Sequence, residues 1–272
     1  MEEILGFFIA IVVGFVMGLL GGGGSILAVP IFVYILNIEA VIATGYSLFV
    51  VGAAALVGAY RYFQQNLVNL KIALVFGAPS LVMVYLTRAY IVPALPDPFL
   101  SFDVFILTKN AAIVVFFAIV MLISSTIMIR KGAKQQEQSH IPKAVSNKPL
   151  NIPVLILDAT LVGLIAGLVG AGGGFLIVPS LVFLARIPMK EAIATSLFII
   201  AINSLLGFLG DWQQHEIDWR FLLPFTSFTI VGILLGTHFC KYVPAAKLKQ
   251  IFGYMVLVIA FFILYKEFVH IN

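Results

Sequence analysis

The sequence predicts an all-α polytopic membrane protein of two inverted repeats, each a glycine-broken helical hairpin plus three transmembrane helices. Three observations predict it. First, of 272 residues 62% are hydrophobic and only 10% charged, with a mean hydropathy of +1.12, which excludes a soluble domain. Second, two glycine clusters, Gly21-Gly22-Gly23-Gly24-Ser25 and Gly170-Ala171-Gly172-Gly173-Gly174, interrupt apolar runs 149 residues apart. Setting residue n against n+149 gives nine identities in the seventeen pairs from Gly14 to Pro30, an internal repeat that orders the whole chain. Third, lysine and arginine gather in loops that inverted halves would place mostly on one face.

Each glycine in a helix interior costs about 1 kcal/mol relative to alanine, so four or five together mark a break. In hydrocarbon a broken backbone is tolerated only where protein buries it or where it lines a watery cavity. There, bare N–H groups and the positive end of the next helix make a place for an anion. Close helix contact through small residues is the other use of glycine, and Gly14 and Gly18, spaced GxxxG, fit that use. Paired interruptions at matching places in two halves point to a binding site.

Taken in order, residues 4–20 and 25–36 flank the first break. The second of these pieces is about 18 Å long as a helix, too short to cross alone. Residues 41–60, 72–92 and 110–129 are spans. Between the last two lies a loop whose Pro93, Pro96 and Pro98 argue against regular helix. The first repeat covers 1–130, a polar, flexible linker 131–150, and the second repeat 151–272. In that repeat 154–169 and 175–185 flank the break, and 191–210, 221–240 and 251–265 are spans. Met1-Glu2-Glu3 lacks the basic start of a signal peptide, so the first segment is expected to remain.

Charge selects the topology. If each broken segment crosses once, the basic residues divide about evenly between the faces. If each goes in and returns, with the N-terminus outside, Arg61, Lys71, Arg130, Lys131, Lys134, Lys143, Lys148, Arg186, Lys190, Lys241, Lys247 and Lys249 all fall on the cytoplasmic side, twelve of sixteen. The halves are then inverted.

The stretches 18–30 and 167–179, each a glycine run ending in Val-Pro, together with Ala194-Thr195-Ser196-Leu197-Phe198, resemble the duplicated motif of the TauE/SafE sulfite exporter family. The first half has Gly45-Tyr46-Ser47 where the second has Ala194-Thr195-Ser196. The resemblance implies a multi-pass transporter of the bacterial or archaeal inner membrane. It implies export of small sulfur-containing anions such as sulfite, sulfonates or sulfoacetate. A passive anion channel is the first alternative. An intramembrane lipid-modifying enzyme is a more remote one, since no catalytic or metal-binding motif survives inspection.

The expected substrate contacts are Gly21, Gly22, Gly23, Gly24, Ser25, Ser47, Gly170, Ala171, Gly172, Gly173, Gly174, Thr195, Ser196 and Asn203. Asp158 is a candidate for carrying a coupling proton. Asn203 and Ser204 also suit bonds between helices. No span carries a lysine or arginine at its centre. Arg88 is therefore read as an attractor at the outer mouth or an anchor for a helix end. Bulky replacements at Gly24 or Gly173 are expected to block an anion while sparing the fold. No cofactor is called for. The expected partners are a small anion and membrane lipid, not nucleic acid, because the basic residues sit in short loops.

Overall fold

The computed structural model describes residues 2–96, 100–102, 105–107, 109–137, 151–170, 172–211 and 217–271. These are almost wholly helical. The first half opens with α1 (Glu2–Leu20). A 3-10 segment, Gly21–Leu27, leads into the short α2 (Ala28–Tyr34), followed by α3 (Ala40–Gln64) and α4 (Leu70–Leu86). α4 continues through a π turn, Thr87–Ile91, into α5 (Val92–Ala94). The strands β1 (Leu100–Phe102) and β2 (Phe105–Leu107) pair antiparallel ahead of α6 (Lys109–Glu137). The second half is α7 (Ile152–Val169), α8 (Gly174–Phe183), α9 (Met189–Asp211), α10 (Trp219–Phe239) and α11 (Ala245–Ile271). Among the described residues five helices, Ala40–Gln64, Leu70–Ala94, Ile152–Val169, Met189–Asp211 and Trp219–Phe239, are long and apolar enough to cross a bilayer.

Two details differ from the sequence expectation. Pro93 lies inside a helix. At the first turn of α5 its missing N–H costs nothing, and the preceding π turn absorbs the register change, with Val92 N–H donating to the Thr87 carbonyl. α6 also runs on to Glu137, into the stretch read as linker. Residues 138–150 lie outside the described residues.

Both breaks form hairpins. Gly6 lies beside Leu36, and Gly24 beside Met17, so the segment after the first break runs back along α1. In the second half Gly173 lies against Ala166, and Asp158 is within reach of the Ser180 hydroxyl.

The two halves interlock by exchange. α1 packs on α10, with Gly14 against Thr229 and Gly18 against Gly236, so these helices run parallel. The equivalent pair, α7 on α4, sets Gly163 against Ser80 and Gly167 against Thr87, again parallel. α3 and α9 cross in the middle, with Gly45 beside Asp211, Gly52 beside Leu205 and Gly58 beside Leu197. They run antiparallel. α6 and α11 pack together at one flank. The core is apolar and aromatic, with Phe32, Phe76, Phe117, Phe175 and Phe225 fully buried. Leu74, Leu157, Val258 and Phe261 project outward, as lipid-facing residues must.

Candidate functional site

The glycines do different work in the two breaks. At the first, only Gly21 takes a positive φ, +70°, and Gly22, Gly23, Gly24 and Ser25 then wind into the 3-10 segment. At the second, Gly170, Gly172 and Gly173 all have φ between +66° and +70°, a region closed to most L side chains. Ala171 lies outside the described residues.

The two breaks meet. A Cβ on Gly174 would overlap the backbone of Gly22, and one on Gly22 would strike Ile200 and the Cα of Gly174. Each break is also clasped by the helix that opens the next element of the other half. Gly21 lies against Ile193 and Ser196 of α9, while Gly170 lies against Thr44 of α3 and against Arg88. Ile193 and Thr44 are equivalent under the 149-residue offset.

This closeness corrects one expectation. Leucine at Gly24 would collide with the backbone of Met17, and a side chain at Gly173 would press on Ala166 at a left-handed backbone. Neither substitution spares the hairpin.

The candidate side chains divide into two groups. Ser25 donates to the Gly22 carbonyl at 2.6 Å, Ser196 to the Ile193 carbonyl at 2.9 Å, and Thr195 accepts the Asn69 N–H at 3.0 Å. These hydroxyls hold turns and helix ends. Asn203 donates to Ser80 Oγ at 2.8 Å, tying α9 to α4. By contrast Ser47 Oγ, Ser204 Oγ and Asn203 Oδ1 are buried without a hydrogen-bond partner among the described residues. Ser204 sits directly against Gly172. Buried polar atoms left unpaired are rare and carry a free-energy cost, which makes them the natural contacts for a polar guest. Asp158 stands apart, half-buried on α7 near Ser180, away from the meeting of the breaks.

The sequence reading missed the strongest charge in the interior. Arg88, at 0% exposure, donates from Nη1 to Asp211 Oδ2 and to Thr44 Oγ1, both at 3.0 Å. It is fully buried rather than a surface anchor. The π turn rotates it inward, and Pro93, five residues on, is the signal in the sequence that such a turn was near. Among the described residues no group of three or more His, Cys, Asp or Glu is placed to hold a metal ion.

The family model for the sulfite exporter TauE/SafE matches residues 6–263. The chain belongs to the TauE/SafE family. A probable membrane transporter protein of Xylella fastidiosa strain 9a5c is 28% identical over 262 residues, covering 94% of this chain and 92% of that protein. The probable membrane transporter protein YunE of Bacillus subtilis is 25% identical, covering 96% and 98% respectively. An archaeal relative in Methanocaldococcus jannaschii, also a probable membrane transporter protein, is 29% identical over 82% of this chain and 79% of its own length. No solved structure matches. This TauE/SafE protein is accordingly a multi-pass plasma-membrane transporter of a small substrate, not an enzyme.

Proposed function

We propose that the chain is a secondary transporter that exports small sulfur-containing anions, such as sulfite or a sulfonate, through a site between its two glycine breaks. The observation that carries this reading is the backbone contact of Gly22 with Gly174. Two hairpins from equivalent places in the two halves meet in the buried interior, the arrangement expected where a substrate site is built from paired broken helices. The N-terminus of α8 starts at Gly174 and brings about half a positive charge to that point. The unpaired Ser47, Ser204 and Asn203 oxygens lie on the two helices, α3 and α9, that cross there.

The same geometry supports a reading with inverted halves. Equivalent helices related by an axis along the membrane normal would run parallel, and α3 and α9 run antiparallel. With the N-terminus outside, both hairpins then reach the middle from opposite faces, and each half can open in turn toward one side.

Calorimetric titration of the purified protein with sulfite, methanesulfonate, acetate and chloride tests this. Saturable binding of the two sulfur oxyanions, with weaker or no binding of chloride, is expected. Failure of every sulfur oxyanion to bind would overturn it.

A further inference from the structure

We propose that Arg88 seats the transported oxyanion and that Asp211 is the stand-in carboxylate that holds the same guanidinium between transport events. The proposal rests on the anion-transport reading and names the charged side of that site.

A fully buried guanidinium stays protonated and needs a counter-charge. Arg88 has one, but takes it from a single nitrogen. Nη1 serves both Asp211 and Thr44, while Nε and Nη2 have no partner among the described residues. Nε and Nη2 together are the edge of arginine that grips two oxygens of one oxyanion at once. A purely structural ion pair in a dry interior gains most by using that edge, and here it is left unused.

The unused edge faces the second break. Gly170 presses against Nη2 so closely that a Cβ there would collide with it. Two further unpaired hydroxyls lie on the same hairpin's surface, Thr87 against Gly167 and Ser204 against Gly172. A guanidinium edge and two hydroxyls around a glycine turn form a donor set for a small anion with several oxygens. The α7–α8 hairpin closes over it in this conformation and must shift to admit one.

The ion pair bridges the two halves and has no charged counterpart at the symmetry-related place. At the equivalent positions of the other half Thr237 stands for Arg88, and Tyr62 for Asp211, with the Tyr62 hydroxyl donating to the Gly18 carbonyl at 3.0 Å. The anion is therefore gripped beside the second hairpin, by an arginine of the π turn that continues α4, and passed along neutral groups at the first.

Asp211 is built to let go. It ends α9, and its side chain retains 9% exposure in a shallow crevice beside Gly45, Tyr46, Phe208 and Ile217. When an oxyanion takes the free edge, the carboxylate leaves Nη1 toward that crevice, and the buried net charge does not change.

Sulfite titration of three variants tests the exchange, with thermal unfolding run in parallel. R88Q/D211N removes both charges together, which leaves no buried ion unpaired and preserves the fold. It is expected to bind sulfite at least about tenfold more weakly than the unmodified protein. Asp211→Asn alone removes the competitor and is expected to bind about tenfold more tightly. Arg88→Lys keeps the charge and its partner without the two-pronged edge. It is expected to lose about tenfold as well, and supplies the measurement if the double variant does not fold. Unchanged affinity in R88Q/D211N or in Arg88→Lys would overturn the seat, and unchanged or weaker affinity in Asp211→Asn would overturn the exchange. If the unmodified protein bound no sulfur oxyanion, the transport reading itself would fall, an outcome distinct from these.

Discussion

The hydroxyl of Tyr46 accepts the backbone N–H of Asp218 at 2.8 Å, at the place where Thr195 in the other half accepts that of Asn69 at 3.0 Å. Asp218 and Asn69 are the N-caps of α10 and α4, so two unlike residues fasten equivalent helix starts across the two halves. Tyr46→Phe removes only the oxygen and strands the Asp218 N–H. It should lower stability by about 1–2 kcal/mol in a detergent unfolding experiment. An unfolding midpoint equal to that of the unmodified protein would show that the contact is not formed.

The glycines of α1 and α10 serve close packing. Gly14 and Gly18 meet a second GxxxG pair, Gly232 and Gly236, and any Cβ would strike the facing backbone. Gly232→Leu should therefore cost about 3 kcal/mol or more and deplete folded protein. Gly77→Ala is the contrast, because an added Cβ would meet nothing nearer than Ile199 at 3.7 Å and the position is helical. That change should stabilise by up to about 1 kcal/mol. Size-exclusion recovery and unfolding midpoints distinguish the two.

Asn37 and Arg186 are equivalent under the repeat, and both take a left-handed backbone, φ 52° and 58°, in the turns that follow α2 and α8. Inverted halves put them on opposite membrane faces. In a background with Cys240 replaced by alanine, Asn37→Cys should react with an impermeant maleimide from outside and Arg186→Cys only from the cytoplasm. Labelling of both from one face would contradict the inversion.

Much of this arrangement was legible in the sequence, for identifiable reasons. Glycine clusters inside apolar runs allow few structures in a membrane, so Gly21–Gly24 and Gly170–Gly174 located both hairpins without any tertiary information. The GxxxG pair at Gly14 and Gly18 likewise announced a close contact, though not with α10. What failed was local reading of groups whose partners are remote. Arg88 lay near a span end and was read as an outer residue, because its partner Asp211 is 123 residues away and was placed in a polar loop. α9 instead continues through Asp211. Ser25 looked like a free donor, but a hydroxyl three residues beyond a 3-10 carbonyl bonds that carbonyl first. Tyr46 gave no signal of its own, since nothing in its neighbours names Asp218.

The most direct test of the central claim is flux through the purified protein in liposomes. Vesicles loaded with sulfite, and in parallel with methanesulfonate, should release them at a rate that saturates with concentration and that responds to an imposed proton or sodium gradient. Release no faster than from protein-free vesicles, for both anions and under either gradient, would contradict the account.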